Sequence, residues 1–407
     1  MRSRHFRHFR QIQEDFEGKI LEVRDLVDLE SVKNLSSVEI DTGYERCLSE
    51  WINRPMDIET GFPFRVLLLR KTVAEFSLIF TFHHSTVDAI RAIHFITEVI
   101  SRYNNKTPDE SSLPEEMRMH HKGDELLELA RSERPKTEHF YREMLSHLFH
   151  FLFIAPFYRP SRIFHDELEQ SKEIRFCSGK LNATELEQMK SKSNSVSGTV
   201  NDILLAACFR TIEKWNRLHG KGSKKISIMV PVDIGPEELQ HIVSNQLSYV
   251  KVSTVPRDRT DPTKLLRRVR TKTAYIIRQS RGKTFFSVYL AYVFSRLPLA
   301  IHKPIAQFIS LPLYADTVNL TNVGFIRLGD NGEGEIEQDG FKIIDFIFVG
   351  PVLKTMGMFL WAGTYNNNLS IDLSYKTSRF SKEKAREFLH LYLDEIKSYQ
   401  VDPEAGW

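Results

Sequence analysis

Cysteine is scarce in this chain. Cys47, Cys177 and Cys208 are the only three in 407 residues, widely spaced and without a CxxC pair. That excludes a disulfide framework and a cysteine-rich zinc site, and it suits a reducing compartment, so a cytoplasmic protein is expected. Long apolar runs are missing too: no stretch of 18 apolar residues exists, so nothing in the sequence is expected to cross a bilayer. Charge of one sign is not in excess, with Lys+Arg 56 against Asp+Glu 53. No dense basic block interleaved with aromatics occurs beyond the first ten residues, which argues against a nucleic-acid partner. The start, "MRSRHFRHFRQI", is free of acidic residues as a transit peptide is, but it lacks the Ser-rich length and runs straight into "EDFE", so no targeting leader is expected. GxSxG is absent and no Cys–His pairing stands out, leaving covalent nucleophilic catalysis without an actor. Short-period repeats are also lacking.

What is present is the balance of a folded protein, 41% apolar and 27% charged residues. The length exceeds what one core usually serves, and two lobes are expected, 1–170 and 171–407. "FRVLLLR" and "FSLIFTFHH" are predicted strands, the second apolar on both faces like an interior strand, and a helix is predicted from Asp88 with a stripe of Ile90, Ile93, Ile96, Ile100 and Tyr103. Residues 104–138 are polar and proline-punctuated. The segment "HFYREMLSHLFHFLFIAPFYRP" is predicted as an aromatic helix stopped by Pro156, packed between lobes or touching a membrane surface peripherally. Further on, "KEIRFCSGKL", "KKISIMVPVDI", "NQLSYVKVSTV" and "GFKIIDFIFVG" are predicted strands, and "NATELEQMKSKS", "NDILLAACFRTIEKWNRL" and "DPTKLLRRVRTKTAYIIRQ" are predicted helices. Near the end, Leu369, Ile371 and Leu373 alternate with Ser370, Asp372 and Ser374 as a half-exposed strand. Ser381 then caps a helix with the stripe Ala385, Phe388, Leu389, Tyr392 and Ile396. Alternating strands and helices predict an α/β fold.

The chemistry concentrates in "FSLIFTFHHSTVDAIRAIHF", residues 76–95, where an apolar strand ends on two histidines and an aspartate opens a helix four residues after the second. Alternation along a strand puts His84 on the face of Phe76, Leu78, Phe80 and Phe82, and His83 on that of Ser77, Ile79 and Thr81, so one imidazole at most serves a given reacting atom. A neutral imidazole at a strand's carboxyl end suits general-base work on an alcohol or amine. Asp88 reads equally well as a helix N-cap. A metal site needs three or four ligands, and besides His83, His84 and Asp88 only His94 lies near, so no metal is expected.

"HHSTVDA" resembles the HHxxxDG signature of the condensation-domain superfamily, whose chloramphenicol-acetyltransferase-like fold also includes wax ester synthases and alcohol acetyltransferases. "TVNDILLAAC", "SIMVPVDI", "SNQLSYVKVSTV", "NLTNVG" and "LSIDLSYKTSRFSKEKAREFLHLYLDEI" are similar to that superfamily's later segments in order and spacing, over roughly residues 60–398. The resemblance implies two chloramphenicol-acetyltransferase-like lobes forming a pseudo-dimer, with a tunnel between them. It implies an acyltransferase moving an acyl group from a thioester, on CoA or a carrier-protein phosphopantetheine, to a hydroxyl or amine acceptor, with no permanently bound cofactor. Such a protein would be a monomer working in natural-product or lipid biosynthesis. The superfamily's base falls on His84. Its loop-holding aspartate falls on Asp88, whose arginine partner would be Arg10 or, second, Arg65, while His83 is structural. Asn322 in "LTNVG" is a candidate oxyanion donor, although an Asn before Gly324 also suits a turn. Two departures follow: Ala89 stands where glycine is usual, and the family's first strand and helix are not found ahead of "RHFRHFR". A catalytically impaired binding or scaffold protein is therefore the alternative expectation.

Overall fold

The computed structural model describes residues 20–25, 37–58, 61–72, 75–105, 159–166, 168, 172–233, 245, 247–274, 298, 316–326, 337–338, 341–353 and 356–402. They divide into two compact units, residues 1–96 with 243–245 and residues 97–242 with 246–407. The expected lobe boundary at residue 170, the aromatic helix ending at Pro156 and Arg10 all lie outside the described residues.

The first unit is built on a three-stranded sheet in the order β1 (Leu21–Asp25), β2 (Phe64–Arg70), β3 (Phe76–Phe82). β1 runs parallel to β2, and β2 antiparallel to β3 with Phe64 opposite Phe82 and Arg70 opposite Phe76. One face carries Leu67, Leu69, Ser77, Ile79 and Thr81, and on it lies α1 (Ser37–Asn53). Trp51 of α1 is buried with Leu67 and Leu69, and its indole N–H donates to Thr81 Oγ1 at 2.9 Å. Tyr44, two helical turns earlier, bonds Ser77 Oγ at 2.9 Å. The polar positions of β3 thus have partners in the heads of aromatic side chains whose bodies fill the core. The opposite face is met by α2 (Ala89–Asn105), whose Phe95 packs edge-on against Phe64 and Phe82 at 5.5 and 5.6 Å.

Two expectations change here. Among the described residues β3 pairs only with β2, at the end of the sheet and not as an interior strand, and Phe76 and Leu78 are exposed. On α2, Tyr103 is 71% exposed, and the fully buried side chain of the helix is Arg91.

The second unit is organised by a six-stranded mixed sheet. Its order is β4 (Ile174–Leu181), β11 (Asn368–Lys376), β10 (Met358–Tyr365), β7 (Val318–Phe325), β5 (Ile226–Asp233), β6 (Leu247–Thr254). β10, β7 and β5 run parallel to one another, and the outer pairings are antiparallel. β8 (Glu337–Gln338) and β9 (Phe341–Lys342) form a separate two-stranded ribbon. β10 and β11 join through Asn366 and Asn367, both at positive φ (46° and 58°), the backbone a tight two-residue hairpin demands and asparagine tolerates.

One face of this sheet is covered by α3 (Ala183–Asn194), α4 (Val200–Leu218) and α5 (Lys382–Lys397). α4 buries an almost unbroken run, Ile203 to Phe209, because it is apolar around most of its circumference. Its start is fixed by a reciprocal cap in which Thr199 Oγ1 accepts from the Asp202 N–H and the Asp202 carboxylate accepts from the Thr199 N–H. Ser381 caps α5, whose buried stripe is the expected one with Leu393 added.

The other face mixes polar side chains with the rings of Phe359 and Trp361. Ser370, Asp372 and Ser374 of β11 were expected to be half-exposed, yet all three are buried. They lie under residues 343–350, which continue β9 without strand pairing: the Phe348 N–H donates to Asp372 Oδ2 at 2.9 Å and the Gly350 N–H to Ser374 Oγ at 3.0 Å. "GFKIIDFIFVG" was predicted as one strand, but among its described residues only Phe341 and Lys342 pair. The remainder is a strap, pinned by Lys180–Asp345 at 2.7 Å and by Phe348 stacked on Trp361 at 4.8 Å.

Candidate active site

β3 ends at Phe82, and the chain turns through residues 83–88 into α2. The turn is closed by its own hydrogen bonds. The His83 N–H donates to Pro63 O at 2.8 Å, while Thr86 donates to His83 O from both its N–H (2.9 Å) and its hydroxyl (2.7 Å). Val87 is buried beneath the turn.

The two imidazoles are held differently. His84 Nδ1 lies 3.2 Å from the carbonyl oxygen of Val87. A carbonyl only accepts, so the hydrogen sits on Nδ1 and Nε2 keeps its lone pair. His84 is exposed just past the end of the strand. His83 Nδ1 lies 2.7 Å from Ser85 Oγ and accepts the Ser85 N–H at 3.4 Å, which leaves its hydrogen on Nε2. The tautomers are opposite, and His84 alone presents a basic Nε2.

Asp88 anchors the far side of the turn. Its side chain and that of Arg91 have no exposure, and Arg91 Nη1 donates to Asp88 Oδ2 at 2.8 Å. The other oxygen, Oδ1, accepts the Arg91 backbone N–H at 3.1 Å, which makes Asp88 the N-cap of α2. Ion pair and cap, weighed as alternatives in the sequence, are one arrangement.

Arg65 is not the partner of Asp88. Its guanidinium donates to the carbonyls of Trp51 (2.7 Å), Arg54 (2.6 Å) and Pro55 (3.1 Å) and lies 4.8 Å from the Trp51 ring centre, closing the end of α1. Sequence reasoning passed over Arg91, although its i,i+3 spacing from a capping aspartate is a readable signal. It also passed over Asn245, which is grouped with the first unit and whose amide donates to His84 O at 2.7 Å.

In the second unit, Asn322 Oδ1 accepts the N–H of Gly324, which has φ of +74°. The side-chain carbonyl supports an irregularity within β7 where the register with β10 shifts, and not the expected turn, so any donation to an oxyanion falls to Nδ2. Ala89, the first residue of α2, leaves the helix start intact. Among the described residues no group of three or more His, Cys, Asp or Glu side chains is disposed to hold a metal ion, and no helix is long and apolar enough to cross a membrane.

No protein-family model matches the sequence, and a comparison with curated protein sequences gives no match either. Solved structures do match. The epimerization domain from the third module of tyrocidine synthetase B superposes with a TM-score of 0.61 at 14% identity, over 93% of this chain and 79% of that one. The first condensation domain of the calcium-dependent antibiotic synthetase, solved with a substrate analogue, gives 0.60 at 10% identity, over 95% and 76%. The cyclization-docking bidomain from Sorangium cellulosum gives 0.58 at 13% identity, over 95% and 71%. The chain therefore has the mixed α/β fold of condensation-type domains.

Proposed function

We propose that this chain, folded as condensation, epimerization and cyclization domains are folded, is an acyltransferase in which His84 is the general base. The donor is a thioester, on CoA or on a carrier protein's phosphopantetheine, and the acceptor is a hydroxyl or an amine. One observation carries the reading: the bond from His84 Nδ1 to the Val87 carbonyl fixes the tautomer that leaves Nε2 basic and accessible. His84 Nε2 takes the acceptor's proton as the acceptor heteroatom attacks the thioester carbonyl. The tetrahedral oxyanion collapses with loss of the thiolate, which recovers the proton from the His84 imidazolium. No acyl-enzyme is formed. Asn322 Nδ2 is the candidate donor to the oxyanion. Asp88 and Arg91 do not touch the reactants; they position the turn that carries the imidazole. The three free thiols suit a reaction in the cytoplasm.

The test is release of free thiol from acyl-CoA and acyl-pantetheine donors in the presence of a panel of alcohols and amines. Wild-type protein should release thiol in an acceptor-dependent manner. His84→Ala should lower the rate about 100-fold or more, in the range that general-base removal usually costs. His83→Ala should lower it less. Equal rates for wild type and His84→Ala would overturn the assignment, and acceptor-independent inactivity of the wild type across both donors would favour the non-catalytic scaffold alternative.

A further inference from the structure

Charge is balanced over the chain as a whole, with a net excess of +3, but not along it. Residues 214–225, from the last turn of α4 to the start of β5, hold five Lys and Arg and no acid. Residues 251–272, which end β6 and run into the helix 262–274, hold eight against Asp258 and Asp261.

The fold of the second unit brings the two stretches together. β5 starts where β6 ends, with Ile226 opposite Thr254. The buried Arg259 ties them, donating to Ser223 O at 2.7 Å and to Glu213 Oε1 at 2.9 Å, so the acid next to the first stretch is already engaged. Asp261 Oδ1 accepts the Lys264 N–H at 3.0 Å at the start of the helix. Asp258 faces both Arg268 (3.2 Å) and Arg257 (3.9 Å), one carboxylate for two guanidinium groups. Lys272 Nζ donates to Ser253 O. Burial, and after it the charge of Arg268, lowers the pKa of Lys272, and Lys225 adds to the effect. Burial also lowers Lys225, against the pull of Asp316 and with the push of Lys251. The positive groups of the two stretches thus act on one another as a single field. Lys214, Arg217, Lys221, Lys224, Arg257 and Lys264 are exposed.

We infer that this basic face of the second unit docks on an anionic lipid surface, its lysines and arginines meeting the phosphate and carboxylate headgroups. A stable protein partner would need an apolar centre inside the charged rim, and of the exposed large apolar side chains only Leu218 lies in these stretches. A lipid surface asks only for several Lys or Arg held close to it. The composition of the following sequence agrees. Residues 262–315 contain ten Lys and Arg and no Asp or Glu, and residues 275–315 contain eight Phe and Tyr, the mixture found in segments that rest at a bilayer interface. The inference uses none of the residues of the acyl-transfer reading and stands without it.

Flotation with unilamellar vesicles tests it. The full chain should float with phosphatidylcholine vesicles containing about 30 mol% phosphatidylserine and stay behind with pure phosphatidylcholine. Raising the salt from about 0.1 M to about 0.5 M should release it, because screening shortens the reach of exposed charges. Lys221→Glu/Lys224→Glu, in the exposed loop between α4 and β5, turns two attractions into two repulsions and should lower the partition coefficient about tenfold or more. Circular dichroism should be unchanged in that variant. Lys180→Glu/Lys190→Glu makes the same change in net charge at the other end of the strands, where Lys180 faces Ser370 and Lys190 lies over Phe325, and should lower partition by about twofold at most. No flotation with the anionic vesicles, equal flotation with pure phosphatidylcholine, equal losses in the two double variants, or binding of a DNA duplex in preference to the vesicles would each overturn the inference.

Discussion

Asp88 and Asp372 are both buried carboxylates, and their surroundings give them opposite fates. Asp88 faces Arg91 with both oxygens occupied. Removing its charge takes from the Arg91 guanidinium, which has no exposure, the carboxylate it is paired with, and breaking a buried pair from one side typically costs about 3–5 kcal/mol. Asp88→Asn should therefore lower stability by about that much in urea denaturation. The double variant Asp88→Asn/Arg91→Met should recover part of the loss, because the buried charge facing the substituted carboxylate is gone. Asp372 has no such cation in contact. Burial pushes its carboxyl up to about 6, against the pull of the Ser178 hydroxyl and the Phe348 N–H, and Oδ1 has no hydrogen-bond partner among the described residues. Its folded pKa lies above the unfolded one, so between an ordinary carboxylate pKa and about 6 the native state holds the extra proton. Stability should fall as pH rises through that window and stay lowered above it. Asp372→Asn keeps an acceptor for Phe348 and should flatten that slope, with a gain of about 2–3 kcal/mol at pH 7 as an upper figure, read from urea midpoints at pH 4, 5, 6 and 7.

At the scale of elements, α1 is held to its sheet by few large contacts. Trp51 fills the small core with Leu67 and Leu69, bonds Thr81 and supports the Arg65 guanidinium. Trp51→Ala should cost about 3–5 kcal/mol, as loss of a buried large aromatic does, and circular dichroism should show the lost helix. This helix and β1 were not found by reading the sequence, although Tyr44, Leu48 and Trp51 recur at helical spacing; the surrounding residues are polar enough to dilute the stripe. β2, β3 and α4 were legible as apolar runs of strand or helix length, and α5 from its stripe and its serine cap. β7 and β10 were not assigned as strands. "MFLWAGTY" is buried along its whole length and "VNLTNVGF" mixes polar with apolar residues, so neither shows an alternation to read. The polar residues of β11 misled for a related reason. Their alternation with leucine and isoleucine implies a solvated face, and only tertiary structure reveals the strap that covers it. The histidine turn was legible as chemistry but not as geometry. That one ring bonds a carbonyl and the other a serine depends on backbone placement three residues away, which no spacing rule supplies.

For the molecule as a whole, the three thiols are unlike one another. Cys208 sits in the middle of α4 with no exposure, and burial raises its pKa far above the usual thiol range. Cys177 on β4 is buried as well and pushed up to about 12. Cys47 on α1 is only partly covered. Thiolate is the reacting form, so a maleimide at neutral pH should modify Cys47 and spare the other two until the second unit unfolds. Intact-mass measurement should show one adduct in native protein and three in guanidinium. The chain thus comes with a built-in handle for a fluorescent probe one helical turn from Trp51, and emission of a dye attached there would report the first unit opening.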